Sequence, residues 1–130
     1  MIKELNPLQA WDFMQKNPEG VLVDVRSRIE YSHVGHPAGA INIIWKEAPD
    51  WQINTTFVEE VKKAVADTQT PLLLLCRSGQ RSMDAAKELE KAGFQQLINI
   101  EEGFEGALDE HKHRGKLGGW RFHGLPWEQS

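Results

Sequence analysis

The sequence has 130 residues (14.8 kDa), 15 Lys and Arg against 19 Asp and Glu, a net charge of −4 and a single cysteine. That length fits one domain, residues 1–130, with an accessible surface of about 7,000 Å² once folded and room for a core that needs no staples. One cysteine excludes an internal disulfide and any multi-thiol metal site, and the mildly acidic balance argues against nucleic acid or an anionic membrane as partner.

The N-terminal residues carry charge early and have no apolar h-region, so no signal peptide is expected. The longest apolar run, Leu72 to Cys76, is far short of a membrane span. A cytoplasmic protein is expected.

Ile2 to Leu5 reads as a short edge strand. Asn6 offers an N-cap, Pro7 suits the first helical position, and Leu8, Trp11 and Met14 fall on one face of the helix that follows. Asn17-Pro18-Glu19-Gly20 stops that helix. Val21 to Val25, apolar except for Asp24, predicts a buried parallel strand. Ser27-Arg28-Ile29-Glu30 is a capping box that starts a helical turn, and Ala40 to Ile44 reads as a second short strand. Trp45 to Asn54 shows no clear period and is expected to be an ordered loop.

Thr56-Phe57-Val58-Glu59 is a second capping box, with Phe57, Val61, Ala64 and Val65 predicted inward and Glu59 paired with Lys63 outside. Leu72 to Cys76 is the most apolar strand. A helix from about Gln80 to Ala92 turns Ser82, Ala85, Ala86 and Leu89 inward; Gly93 ends it, with Phe94 placed for the accompanying apolar contact. Gln96 to Ile100 is a further strand, and the remainder is acidic and Gly-rich. Strand and helix alternate throughout, which calls for an α/β layer fold with a mostly parallel sheet flanked by helices.

Cys76 closes the most buried strand, and Arg77-Ser78-Gly79-Gln80-Arg81-Ser82 follows before the helix. In parallel α/β sheets ligands bind beyond the carboxyl ends of strands. A turn running into a helix N-terminus aims several N–H groups at one point. Gly79 gives that turn its backbone freedom, while Arg77 and Arg81 add positive charge; each feature favours thiolate over thiol. On strand context alone a lone cysteine is a small buried hydrophobe. A merely structural cysteine, however, needs neither two arginines nor a glycine at a helix mouth. A phosphatase-type Cys-x5-Arg loop fails here, because the sixth position after Cys76 is Ser82 and the arginine comes one place early.

Cys76 to Ser82 resembles the active-site loop of single-domain rhodanese-like sulfurtransferases. Val23-Asp24-Val25-Arg26 is similar to that family's first core strand and its Asp-x-Arg element. Glu30-Tyr31 with Gly35-His36-Pro37-Ala38-Gly39-Ala40 resembles its Gly-His-Ile-Pro-Gly-Ala signature, and Glu102-Gly103-Phe104, Gly119-Trp120 and Gly124-Leu125-Pro126 match its C-terminal pattern. The likeness runs from about residue 2 to 127. Pro37 stands one place early, and Glu105 to Leu117 is longer and more charged than a minimal member requires.

The resemblance implies a three-layer rhodanese-like fold and a thiosulfate sulfurtransferase-like enzyme. Cys76 would become a persulfide by attacking the outer sulfur of a donor such as thiosulfate or another sulfane sulfur, and cyanide, a thiol or a protein acceptor would then remove it. Arg77, Ser78, Gly79, Gln80, Arg81 and Ser82 would surround the donor, the two arginines binding its charge. No cofactor or metal is called for. A sulfur carrier or persulfide-binding module with little turnover on small donors is the first alternative, and a Cys-dependent phosphatase or arsenate reductase the second.

Asp24 and Arg26 are expected to brace neighbouring loops as an ion pair rather than to act directly, and His36 to bond backbone in its turn. His111 and His113 lie in a charged segment beside Lys112 and Arg114, which would repel a cation. Ser27 and Ser82 suit helix starts, since no Gly-x-Ser-x-Gly elbow is present. Trp45 and Trp51 either pack in the core or wall a pocket.

Overall fold

A computed structural model describes residues 1–130. In chain order the elements are β1 (Ile2–Leu5), α1 (Pro7–Lys16), β2 (Val21–Asp24), a π-helical turn (Glu30–Val34), β3 (His36–Pro37), β4 (Ile41–Asn42), β5 (Lys46–Glu47), β6 (Gln52–Ile53), α2 (Phe57–Ala64), β7 (Leu72–Leu75), α3 (Gln80–Lys91), β8 (Leu97–Ile100) and β9 (Trp127–Glu128). The main sheet has the order β1-β8-β7-β2-β4, and every pair in it is parallel.

β7 is central because it alone is apolar at every position. Leu72, Leu73 and Leu74 sit opposite Val21, Leu22 and Val23 on one side and Leu97, Ile98 and Asn99 on the other. Side chains alternate across a strand. Leu72, Leu74 and Cys76 therefore join Phe57, Val61, Ala85 and Leu89 of α2 and α3, while Leu73 and Leu75 join Ala10 of α1 and Phe104 and Trp120 of the C-terminal segment. Two cores on the two faces of one parallel sheet make the α/β layer fold that the alternating elements predict, in the three-layer form that the resemblance implies. Burying each of those leucines is worth about 1.5–3 kcal/mol over leaving it exposed. The accessible surface is 7020 Å², in line with the length-based expectation.

The helix ends follow local chemistry. Asn6 accepts from Gln9 N–H at 2.8 Å while Gln9 returns a bond to Asn6 N–H, a full capping box. α3 ends in a Schellman turn, with Phe94 N–H on Leu89 O and Gly93 N–H on Glu90 O, both at 3.1 Å.

Several expectations change in detail. Leu8 is exposed, since α1 buries Pro7 and Ala10 and half-buries Trp11, Phe13 and Met14. Ala64 is exposed in the last turn of α2, and Glu59 forms no ion pair with Lys63. Thr56 does not cap α2: its hydroxyl is engaged by Asn54 and by Glu60, and Asn54 takes the Thr56 N–H instead. The strand expected over Ala40 to Ile44 pairs only at Ile41–Asn42. The expected loop from Trp45 to Asn54 holds a small antiparallel hairpin, β5 with β6. Its strands are two residues long, too short for an alternation to show in sequence.

Candidate active site

β7 delivers Cys76 to the carboxyl end of the sheet, with only 1% of the residue exposed. The next three residues turn the chain into α3, and Gly79 takes φ +114°, a conformation that L side chains rarely adopt. That turn aims the Gly79 N–H at Cys76 Sγ, 3.1 Å away. Ser82, one turn into α3 and wholly buried, brings its hydroxyl to 3.3 Å from Sγ. The first turn of a helix leaves its N–H groups without partners inside the helix, so those of Gln80, Arg81 and Ser82 add donor capacity on this side of the loop.

The loop is clamped from behind. Phe104 N–H bonds Cys76 O at 2.8 Å, and the Glu105 and Gly106 N–H groups bond Arg77 O at 3.0 and 3.2 Å. Gly103 makes that approach possible: a Cβ there would overlie the Cys76 carbonyl oxygen and stand 2.6 Å from the Arg77 carbonyl carbon. Any side chain at 103 would push the clamp off the loop.

The two arginines play different parts. Arg77 is exposed, is in no ion pair, and faces a basin of about 280 Å³ together with Lys46, Trp51 and Arg81. Arg81 is already committed. Its Nη1 and Nη2 each bond one Glu30 carboxylate oxygen at 2.8 Å, and the Trp51 ring covers the guanidinium at 5.2 Å. Burial alone would raise the Glu30 pKa, but the Arg81 guanidinium and the Ser27 hydroxyl and N–H outweigh it and hold the carboxyl at about 2. Arg81 is raised in turn: burial alone would lower it, and Glu30 more than compensates. The expected donor-binding pair thus divides into a free cation, Arg77, and a neutralised strut, Arg81. Ser78 and Gln80 are exposed on the loop, beside a second hollow that also touches Gly79 and Asn99.

Asp24 and Arg26 form a wholly buried ion pair at the end of β2. Arg26 Nε and Nη2 reach Asp24 at 2.8 and 2.6 Å, Nη2 also bonds Gly35 O, and the guanidinium lies over the Phe104 ring. The pair ties β2, the turn before β3 and the clamp segment together, and neither residue hydrogen-bonds Cys76. His36 is buried, stacks on Tyr31 and engages the Tyr31 carbonyl through Nδ1 at 2.7 Å. Trp45 packs in the core against Phe57, whereas Trp51 walls the basin.

In the charged segment, Asp109 accepts the backbone N–H groups of His113 and His111. Those bonds, the His113 one foremost, lower its pKa. No group of three or more His, Cys, Asp or Glu side chains is placed to hold a metal ion.

Sequence reasoning missed two residues that touch the machinery. Glu30 pairs with an arginine far along the chain, and no local pattern reports it. Asn99 is buried in β8 and reaches the Ser82 hydroxyl. The signal for it was an amide standing alone in the apolar run Leu97-Ile98-Asn99-Ile100.

Residues 6–110 match the model of the rhodanese-like domain family. The chain belongs to that family. A crystal structure of Rv0390 from M. tuberculosis superposes with a TM-score of 0.89 at 39% identity, covering 98% of each chain. An uncharacterized protein of Rickettsia conorii is 32% identical over 130 residues, again 98% of each chain. The thiosulfate sulfurtransferase GlpE of Glaesserella parasuis is 32% identical over 103 residues, 79% of this chain and 83% of that one. No helix of this rhodanese-like chain is long and apolar enough to cross a membrane.

Proposed function

We propose that this rhodanese-like protein is a sulfurtransferase that carries sulfane sulfur as a persulfide on Cys76. One observation carries the reading: Sγ already accepts the Gly79 N–H at 3.1 Å at the mouth of α3, where the same turn leaves Arg77 uncommitted. In the first step the Cys76 thiolate attacks the outer sulfur of thiosulfate or a similar donor. A bond forms between Sγ and that sulfur, the donor's own S–S bond breaks, and sulfite leaves with the bonding pair. In the second step cyanide or a thiolate attacks the outer sulfur of the persulfide, and Cys76 recovers its thiolate.

Arg77 meets the anionic end of the donor, and the N–H groups of the loop and of the first turn of α3 hold the outer sulfur as it gains charge. The likeness to GlpE supports thiosulfate as a donor. A small thiol, cyanide or a protein thiol serves as acceptor. The two steps use no cofactor.

Incubation with thiosulfate is expected to add the mass of a single sulfur atom to the intact protein, and the adduct is absent in Cys76→Ser. Cyanide then releases thiocyanate. Rapid turnover marks an enzyme; a stable adduct with negligible turnover marks a sulfur carrier. Hydrolysis of an aryl phosphate without any sulfur adduct would overturn both.

A further inference from the structure

We propose that Asn99 is a positioning residue for the Cys76 nucleophile, acting through the Ser82 hydroxyl. The proposal rests on Cys76 as the reacting thiol. Asn99 lies on β8, in register with Leu74 of β7 and Glu4 of β1, and it is 2% exposed. A buried amide in an apolar strand is costly unless every polar atom finds a partner. Here each does.

Nδ2 donates to Gly79 O at 3.1 Å and to Glu4 Oε1 at 3.3 Å. Both partners are acceptors only, so the reversed amide would set oxygen against oxygen twice, and its orientation is fixed. Oδ1 therefore faces Ser82, whose Oγ stands 2.5 Å away.

Ser82 has a single hydroxyl hydrogen, and three acceptors lie within reach: Asn99 Oδ1, Gly79 O at 3.2 Å and Cys76 Sγ at 3.3 Å. Asn99 is much the nearest and takes the hydrogen, so the Ser82 oxygen is held in place 3.3 Å from the sulfur and packs against it without donating to it. The same amide steadies the Gly79 carbonyl, one peptide on from the N–H that Sγ accepts. One side chain beneath the loop thus fixes both polar groups that touch the sulfur, while making no contact with Sγ itself.

Alkylation of Cys76 by iodoacetamide at fixed pH reads this without any sulfur transfer. Asn99→Leu, which keeps the volume and removes the polar atoms, is expected to slow alkylation about tenfold, the scale of one well-placed hydrogen bond. Ser82→Ala should slow it comparably, and the double variant should fall within about twofold of the slower single one. Thiosulfate turnover should lose kcat with KM held within about twofold, because Asn99 does not meet the donor.

Asn99→Asp is a second variant of the same size. It turns the donating nitrogen into an acceptor facing Gly79 O and Glu4, and is expected to slow alkylation as well. Multiplying effects in the double variant would overturn the proposal, as would either Asn99 variant reacting at the wild-type rate while folded by thermal melting. Coupled alkylation with no persulfide on thiosulfate treatment would keep Asn99 in its role and sink the sulfurtransferase reading instead.

Discussion

Arg77 and Arg81 stand four residues apart in one loop, have the same side chain, and do different work. Arg81 is spent on Glu30 through two bonds of 2.8 Å, whereas Arg77 faces the basin unpaired. A guanidinium that already holds a bidentate carboxylate contributes little net charge to an incoming anion. Arg77→Ala is therefore expected to raise the KM for thiosulfate about tenfold, the scale of one charge-assisted hydrogen bond, with little change in melting temperature. Steady-state kinetics on the purified variant check both halves. The cysteine, both arginines and the turn glycine of this site were legible in sequence, because a short loop between strand and helix fixes their neighbourhood. The division of labour was not legible, because it depends on a carboxylate 51 residues distant.

At the scale of elements, the apolar periods located the helices and the four longer strands but not every helix face. α1 was expected to bury Leu8, yet it turns Ala10 to the sheet, because small side chains let a helix sit close on a parallel sheet. The start of α2 shows how a sequence motif can be overruled. Thr56 and Glu59 have the spacing of a capping box, but Thr56 already carries the backbone angles φ −102° and ψ 11°, outside the extended region a cap needs. Asn54 caps the region instead, with Oδ1 accepting the Thr56 N–H and Nδ2 donating to Ile44 O and Glu60. Its bond to Glu60, reinforced by Thr56, holds that carboxyl below its ordinary range. Asn54→Ala is accordingly expected to cost about 1–2 kcal/mol, and Thr56→Ala less than half of that. Urea unfolding midpoints of the two variants decide the order.

For the whole molecule, the Glu30–Arg81 pair joins three stretches of chain: the turn after β2, the β5–β6 hairpin through Trp51, and the first turn of α3. Both side chains are 16% exposed, so solvent screens the pair only in part. The folded carboxyl titrates at about 2 against an ordinary 4.5. A depressed carboxyl contributes stability that is present in full above its unfolded pKa and is lost as pH falls through the folded one. The ionised carboxyl, held by Arg81 and Ser27 together, thus contributes on the order of 2–3 kcal/mol at neutral pH after partial screening, lost between about pH 4.5 and pH 2. Glu30→Gln should flatten that part of the stability curve and leave the loop less ordered, while the wild type loses stability steeply there. Denaturant unfolding at a series of pH values from neutral to acid measures the difference.

The sequence by itself determined the α/β layer class, the run that forms the most buried strand, and the cysteine on which the proposed chemistry rests. Each follows from local information: apolar runs that can only be buried strands, turn residues that end helices, and a short loop whose length sets what its backbone can surround. Tertiary structure alone decided which arginine is free, that Gly103 must be bare for the clamp to close on the Cys76–Arg77 backbone, and that Asn99 lies beneath Ser82. Those facts depend on side chains brought together by strand register and loop packing, across separations that no local pattern of residues encodes.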